Sequence, residues 1–309
     1  MKTIFIDGKA GTTGLRIFER LESRDDVKIL TLSEELRKDP AARKQMLNTA
    51  DIVFLCLPDA AAREAVAMID NPDTVVIDTS TAHRTNPAWI YGFPEIDPAI
   101  AAALPAAKRI AVPGCHASGF IALVKPLIDA GVLSQDTALT CHSVTGYSGG
   151  GKAMIAQYET APDELLGAPR QYGLAQTHKH LPEMTALCHL TTAPIFCPIV
   201  ADFYSGMEVT VPLFAAQLQH GATVETVKKI YKEQYTGKFV HFVDDGDEQG
   251  FLSAAKYSNL DSMQIGVFGN DERLLLTARY DNLGKGASGA AIQILNILLG
   301  AKDDTGLYI

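Results

Sequence analysis

Apolar and polar residues follow one another along this chain in two textures, and the change falls near residue 115. In the first third, short apolar runs take turns with stretches of helical spacing. KTIFID (2–7), VKILTL (27–32), DIVFLCLP (51–58) and TVVIDTS (74–80) predict strands. DIVFLCLP is nearly unbroken in its apolar character, the mark of a parallel strand covered on both faces. Between the strands, TGLRIFERLES (13–23) predicts an amphipathic helix with Leu15, Phe18 and Leu21 on one face, and AAAREAVAMID (60–70) predicts another. Strands alternating with helices predict a Rossmann-type α/β domain with a doubly wound parallel sheet. Cys56, inside its apolar strand, reads as core.

Beyond Cys115 the pattern becomes strand-rich with polar alternation, in ALTCHSVTGYSGGGK (138–152), PIFCPIVADFYSGMEVTVPLF (194–214), KFVHFVDD (238–245) and RLLLTARYD (273–281). One amphipathic helix is expected over 223–235. This texture predicts an α+β second domain with a mainly antiparallel sheet. DDGDEQG (244–250) reads as a solvated loop, and SGAAIQILNILLGAK (288–302) as an apolar helix that must dock on one of the domains. The expected division is 1–114, completed by the C-terminal helix over 284–309, and 115–283.

Composition narrows the function classes. The 309 residues are 47% hydrophobic and 20% charged, an ordinary soluble globular balance with room for about two domains. The net charge of −9 speaks against a nucleic-acid partner. No apolar run approaches the ~20 residues of a membrane span, and MKTIFID lacks the apolar core of a signal peptide. Five cysteines, an odd number without a C-x-x-C pair, fit a reducing cytoplasmic setting better than a disulfide framework. CHLTTAPIFC (188–197) has no zinc-site spacing, so no metal is expected.

Gly8, Gly11 and Gly14 follow the first strand and open the first helix. Glycines there permit a tight turn and close approach to a pyrophosphate at a helix N-terminus. Thr12 and Thr13 lie inside the turn, and Pro58 closes the third strand, which makes them further candidate cofactor contacts. The second strand discriminates between cofactors, because an NAD site presents an acid at its tip. Here the tip carries Ser33, followed by Arg37 and Lys38, which favours the 2′-phosphate of NADP; Glu34 and Glu35 weigh against it or start a helix.

VPGCHASGF (112–120) puts Cys115 at a helix start, where the dipole favours a thiolate. Alone, such a cysteine is as readily a small core residue. Behind a dinucleotide-binding domain it becomes a candidate nucleophile for acyl transfer to a thioester. THKHLPEM supplies His180 as candidate proton carrier and His178 beside it, with Glu183 close behind; His116 and His142 remain alternatives. Pro182 and Glu183 suit a first helical turn, so His178 and His180 are expected at a turn with diverging side chains. An anionic substrate needs cations. Arg84 follows a strand's carboxyl end, and Ser148 and Lys152 flank a triple-glycine turn able to form an anion nest. Arg84 and Lys152 are equally readable as surface charges.

GKAGTTG, LPDAAA, DTSTAHR, YGFPEI, VPGCHASG, SGGGK, HKHLPE and DNLGKGASGAAIQILN occur in an order that resembles the shorter type of N-acetyl-γ-glutamyl-phosphate reductase, from Ile4 to Leu299. The longer type reads Asn-Pro-Gly-Cys-Tyr-Pro-Thr at the cysteine, where this chain has Val-Pro-Gly-Cys-His-Ala-Ser. The resemblance implies NADPH-dependent reduction of N-acetyl-γ-glutamyl phosphate to the semialdehyde in arginine biosynthesis. It implies Cys115 as nucleophile, His180 as proton carrier, and a homo-oligomer, dimer or tetramer. It also implies that Asn282 and Lys285 lie on the cofactor domain beside the nicotinamide. Two other readings stay open: an aspartate-semialdehyde dehydrogenase, with a free ammonium on its substrate, and a non-catalytic NADP-sensing protein with an inert Cys115.

Overall fold

The computed structural model describes residues 1–160 and 163–309. These form two compact units, one of Met1–Pro94, Ala99–Pro113 and Ala287–Leu307, the other of Glu95–Pro98, Gly114–Gly286 and Tyr308–Ile309. The chain returns to the first unit at Ala287, three residues later than the expected 284.

The strands of the first unit are β1 (Lys2–Asp7), β2 (Val27–Leu30), β3 (Ile52–Leu55), β4 (Val75–Asp78), β5 (Ile90–Tyr91) and β6 (Arg109–Ala111). They pair in the order β2-β1-β3-β4-β6-β5, every pair parallel. The helices are α1 (Thr12–Glu22), α2 (Pro40–Thr49), α3 (Asp59–Ala67) and α4 (Pro98–Ala103). Successive strand residues point to opposite faces. Ile4, Ile52, Phe54, Ile77 and Ile110 therefore pack with Ile17 and Leu21 of α1 on one side. Phe5, Val53, Leu55 and Val76 pack with Leu47 of α2 and Ala62 and Ala65 of α3 on the other. The last helix joins the first of these layers through Ala291, Ile294 and Leu295. Burial pushes the Cys56 thiol up to about 12, so it is an inert core group. Helix α1 corrects one expectation: its buried face is Gly14, Ile17 and Leu21, while Leu15 is 40% exposed. The start at Thr12 aligns positions 14, 17 and 21 at three- and four-residue spacing on the sheet side.

The second unit begins with α5 (Cys115–Asp129) and continues through β7 (Thr140–Gly146), α6 (Gly151–Thr160), β8 (Arg170–Gln171), α7 (Leu181–Leu187), β9 (Ile195–Ala201), β10 (Met207–Phe214), α8 (Val224–Gln234), β11 (Val240–Phe242), β12 (Met263–Gly269) and β13 (Arg273–Tyr280). The sheet order is β11-β12-β13-β10-β7-β9-β8. Only β11–β12 and β7–β9 are parallel among the described pairs. The last helix is α9 (Gly289–Leu299).

Helix α5 is buried along nearly its whole length, and its neighbours are shaped to receive it. At Gly119 a Cβ would come within 2.7 Å of the Tyr280 hydroxyl and of Val209, so only glycine lets the helix sit this close to β10 and β13. Pro126 lacks the N–H that would bond the Ala122 carbonyl. The Tyr235 hydroxyl donates to that carbonyl at 2.6 Å instead, and Tyr231 donates to the next one, Leu123.

The segment 244–250 is more than a solvated loop. Arg279, 1% exposed, donates to both carboxylate oxygens of Glu248 and to the Gly246 carbonyl. Lys256 also pairs with Glu248. A buried guanidinium needs such partners, and the loop supplies them.

Candidate active site

In the first unit the glycine turn forms as spaced. Gly8 has φ +89°, and a Cβ there would lie 2.3 Å from the Cys56 carbonyl oxygen. At Gly14 a Cβ would lie 2.6 Å from the Gly8 carbonyl oxygen. The turn therefore needs both glycines for its own packing against β3. Helix α1 begins at Thr12 with Gly11 as N-cap and no side-chain cap, which leaves its first N–H groups for an anion. Thr12 and Thr13 are its first two residues, and Pro58 is the N-cap of α3.

A cavity of about 620 Å³ adjoins the turn, lined by Gly8, Lys9, Ala10, Leu30, Thr31, Leu32, Glu34, Arg37, Lys38 and Arg43 among others. Its apolar walls and four cations suit the adenosine half of a phosphorylated dinucleotide. Ser33 is exposed and starts a turn, its carbonyl accepting from Leu36; Glu34 and Glu35 lie in that turn, and α2 begins only at Pro40, capped by Asp39. Arg37 is half-exposed and paired with Glu34 at 3.1 Å. Arg43, which the sequence reading missed, donates to Asp7 at 2.7 Å. Its position one turn into α2 carries no local signal.

Arg84 follows β4 and is buried. Its buried guanidinium donates to the carbonyls of Val112 (2.9 Å) and Thr79 (3.0 Å), tying β4 to β6. Between these strand ends Asp78 accepts from Ser80 and pairs with His83, which stacks on Trp89.

In the second unit a smaller cavity, about 160 Å³, brings Cys115, His116, Tyr172, His178, Lys179 and His180 together with Thr145, Gly149 and Gly150. Cys115 is the first residue of α5, after the N-cap Gly114. Its carbonyl accepts from Tyr280, whose oxygen accepts in turn from the Gly119 N–H at 3.0 Å. Gly286 passes so close that a Cβ there would lie 3.1 Å from the Cys115 Cβ. No carboxylate lines this cavity among the described residues, and Lys179 does.

The histidines correct the expected divergence. They lie at a turn, but their rings are 4.8 Å apart and both pack against His116, at 5.8 Å and 5.6 Å. A backbone bond explains it: the His180 N–H donates to the His178 Nδ1 at 3.2 Å, holding the two rings edge to face. His180 caps α7, and its Nε2 stands 3.9 Å from the Glu183 carboxylate. The other oxygen of Glu183 accepts from the Gly114 N–H at 3.1 Å. One buried carboxylate therefore stands between the His180 ring and the N-cap of α5.

Burial, with His178 and Lys179 nearby, holds His116 neutral down to about 3. Burial and Lys179 hold His178 down to about 4. His142 points out of the sheet and is exposed, because Ser143 takes the inward position on β7. Ser148 is buried beside the cavity and accepts from the Asn282 amide at 3.1 Å. Lys152 is exposed on the first turn of α6. Asn282 and Lys285 belong to the second unit: Asn282 lies within the expected 115–283, and Lys285 lies just past it. The Asn282 oxygen accepts from the Gly206 N–H at 2.9 Å, and Lys285 is buried against Glu95 at 2.7 Å.

These depressed histidines set a pH dependence of stability. In the unfolded chain His116 takes up a proton below about 6.5, while the folded chain resists until about 3. Stability is then full above pH ~6.5 and falls as pH drops below it, by about 2 kcal/mol at pH ~5 from His116 alone. Urea unfolding of His116→Gln is expected to show a flatter profile between those pH values. A profile as steep as the wild type's would exclude His116 as the cause.

Residues 115–282 match the semialdehyde dehydrogenase dimerisation domain and 25–103 the semialdehyde dehydrogenase NAD binding domain. A relative from Nostoc sp., N-acetyl-gamma-glutamyl-phosphate reductase 2, is 42% identical, covering 98% of each chain. The N-acetyl-gamma-glutamyl-phosphate reductase of Rhizobium meliloti is 46% identical, covering 96% of this chain and 99% of the relative. Among solved structures, aspartate semialdehyde dehydrogenase II from Vibrio cholerae, complexed with ASA, superposes with a TM-score of 0.71 over 97% of this chain and 98% of that one, at 16% identity. Aspartate semialdehyde dehydrogenase with NADP from Candida albicans superposes at 0.64 over 96% and 98%, at 15% identity. The structural likeness establishes a shared fold, while the full-length sequence identity decides the family: this chain belongs to the N-acetyl-γ-glutamyl-phosphate reductases.

Proposed function

We propose that the chain reduces N-acetyl-γ-glutamyl phosphate to N-acetylglutamate 5-semialdehyde with release of phosphate, through a thioester on Cys115 and with NADPH as reductant, a step of arginine biosynthesis. The observation that carries this reading is the cavity holding Cys115 at a helix start together with His178, Lys179 and His180. The Cys115 thiolate attacks the acyl carbon, the carbon–oxygen bond to phosphate breaks, and phosphate leaves. N–H groups at the first turn of α5 face the developing oxyanion. NADPH, when bound, supplies the hydride. The resulting thiohemiacetal loses its hydroxyl proton, its carbon–sulfur bond breaks, and aldehyde and thiolate separate.

His180 is the proton carrier, because Glu183 stands ready to balance an imidazolium. His178 stays neutral, with Nδ1 occupied as an acceptor, so its Nε2–H is a donor to substrate. Lys179, which lines the cavity, supplies the cation for the anionic substrate, rather than Lys152, which does not line it. Glycines 8, 11 and 14 and the N-terminus of α1 hold the pyrophosphate, and Arg43 joins Arg37 and Lys38 around the 2′-phosphate. The nucleophile must be a free thiol, which suits a reducing cytoplasm. Exposed Ile195, Phe214 and Leu275 on β9, β10 and β13 support a homo-oligomer built on the sheet of the second unit.

The test runs the reaction backwards. N-acetylglutamate semialdehyde plus phosphate is expected to reduce NADP far faster than aspartate semialdehyde plus phosphate does. The preference for NADP over NAD is expected to narrow about tenfold or more in Arg43→Ala, consistent with loss of a charge-assisted phosphate contact. Faster turnover of aspartate semialdehyde refutes the substrate, and an unchanged or reversed cofactor preference refutes the cation set.

A further inference from the structure

His116, next to the nucleophile, sits in the middle of a buried hydrogen-bond chain. Its Nδ1 is 2.6 Å from the Ser143 hydroxyl and its Nε2 2.7 Å from the Tyr172 hydroxyl. The ring is 3% exposed and enclosed by the rings of His178, His180, Phe196 and Tyr172. A second positive charge beside Lys179 and away from any lining carboxylate is disfavoured, so the imidazole is neutral. A neutral imidazole has one donor nitrogen and one acceptor nitrogen. The chain therefore runs in one of two directions.

If Tyr172 donated to Nε2, Nδ1–H would donate to Ser143, and the Ser143 O–H would need an acceptor elsewhere. Ser143 is 0% exposed, and His116 is the one hydrogen-bond partner of its hydroxyl among the described residues. That direction strands a buried donor, which is costly. The opposite direction satisfies every group: Ser143 donates to Nδ1, Nε2–H donates to the Tyr172 oxygen, and the Tyr172 O–H is left over. Tyr172 lines the cavity that holds Cys115.

We propose that Ser143 and His116 form a fixed relay that orients the Tyr172 O–H as a hydrogen-bond donor to an oxygen of the acyl-phosphate substrate beside Cys115. Tyr172 touches substrate; Ser143 and His116 act through it as positioning residues. The inference rests on the function proposed above for the choice of substrate, not for the direction of the chain. The phenol remains a donor at neutral pH, since burial and the nearby Cys115 raise its pKa further.

Two measurements test it. In enzyme labelled with ¹⁵N-histidine, long-range proton–nitrogen correlation spectra are expected to show His116 as the Nε2–H tautomer, unprotonated at Nδ1, with the resonance assigned by its loss in His116→Gln. An Nδ1–H tautomer, or an imidazolium at neutral pH, overturns the relay. In steady-state kinetics, Tyr172→Phe is expected to lose about 10- to 100-fold in kcat/KM, the range for a hydrogen bond to a charged or developing-charge oxygen. Ser143→Ala loses part of this and a mixture of His116 tautomers appears, while Ser143→Thr restores both. Wild-type kcat/KM in Tyr172→Phe overturns the donor role even if the tautomer is as expected. A wild-type enzyme inactive on the acyl phosphate that still shows the Nε2–H tautomer supports the relay and refutes the assigned substrate instead.

Discussion

Cys115→Ser is expected to lose acyl-phosphate reduction by about 10³-fold or more while binding NADPH with nearly unchanged affinity. The size of the loss follows from the nucleophile's chemistry. A thiol at a helix N-terminus is readily a thiolate, whereas a serine hydroxyl there stays neutral and attacks far more slowly. The surroundings add to this contrast. Cys115 begins α5 directly after the N-cap Gly114, which has no side chain of its own to cap the helix, the Tyr280 hydroxyl pins its carbonyl, and the cavity around it holds Lys179 and no carboxylate among its described lining residues. Serine fits the same space, so the fold is expected to survive, and the cofactor turn is made by other residues. Turnover is measured beside a fluorescence titration with NADPH. In parallel, stoichiometric alkylation of the wild type by iodoacetamide at neutral pH, blocked by substrate, distinguishes an enzyme from a non-catalytic NADP sensor. Turnover by Cys115→Ser near the wild-type rate would remove the thioester from the mechanism.

How much of this was legible in the chain depends on how local each cause is. The glycine turn, the α1 start and the placement of Cys115 at the head of α5 depend on neighbours within a few residues, and the sequence displays them. The parallel and mixed sheets follow from apolar runs and alternation, which are equally local. Side-chain partners are not. Arg84 reads equally as a surface charge or a substrate cation, and only the fold shows the Val112 and Thr79 carbonyls at its guanidinium. For Asn282, only the fold shows Gly206 and Ser148, each more than seventy residues away, at its amide. Arg43 is invisible for the opposite reason, since only the packing of α2 beside β1 brings it to Asp7. Ser143 and Tyr172 carry no motif at all; one inward position on β7 and one residue past β8 meet at His116 through the sheet. Even on α1 the buried face holds Gly14 and Ile17 where Leu15 and Phe18 were expected, because an offset of a single residue turns the face by about 100°.

The sharpest division of labour is expected between the two histidines whose rings the fold sets edge to face. His180→Asn should lower kcat by about 10²-fold or more with a smaller change in KM, the pattern of a lost general acid–base group. His178→Asn should raise KM chiefly. Both rings line the cavity with Cys115, so proximity does not separate them. Their partners do. His180 holds its Nε2 3.9 Å from Glu183, whose carboxylate also takes the Gly114 N–H, so a proton arriving on His180 finds a counter-charge already anchored to the nucleophile's helix. His178 has the opposite setting: its Nδ1 is occupied by the His180 N–H, and burial with Lys179 beside it holds its pKa down to about 4. At neutral pH it gains no proton and offers a fixed N–H, which binds substrate in ground and transition states alike. Because the His178 ring accepts from the backbone of His180, a change at 178 is also expected to loosen 180, and the double variant should fall short of the product of the single effects. Matched NADPH affinities serve as the folding control. A full-rate His180→Asn enzyme beside an inactive His178→Asn enzyme would exchange the two roles and leave Glu183 as a structural cap for α5 alone.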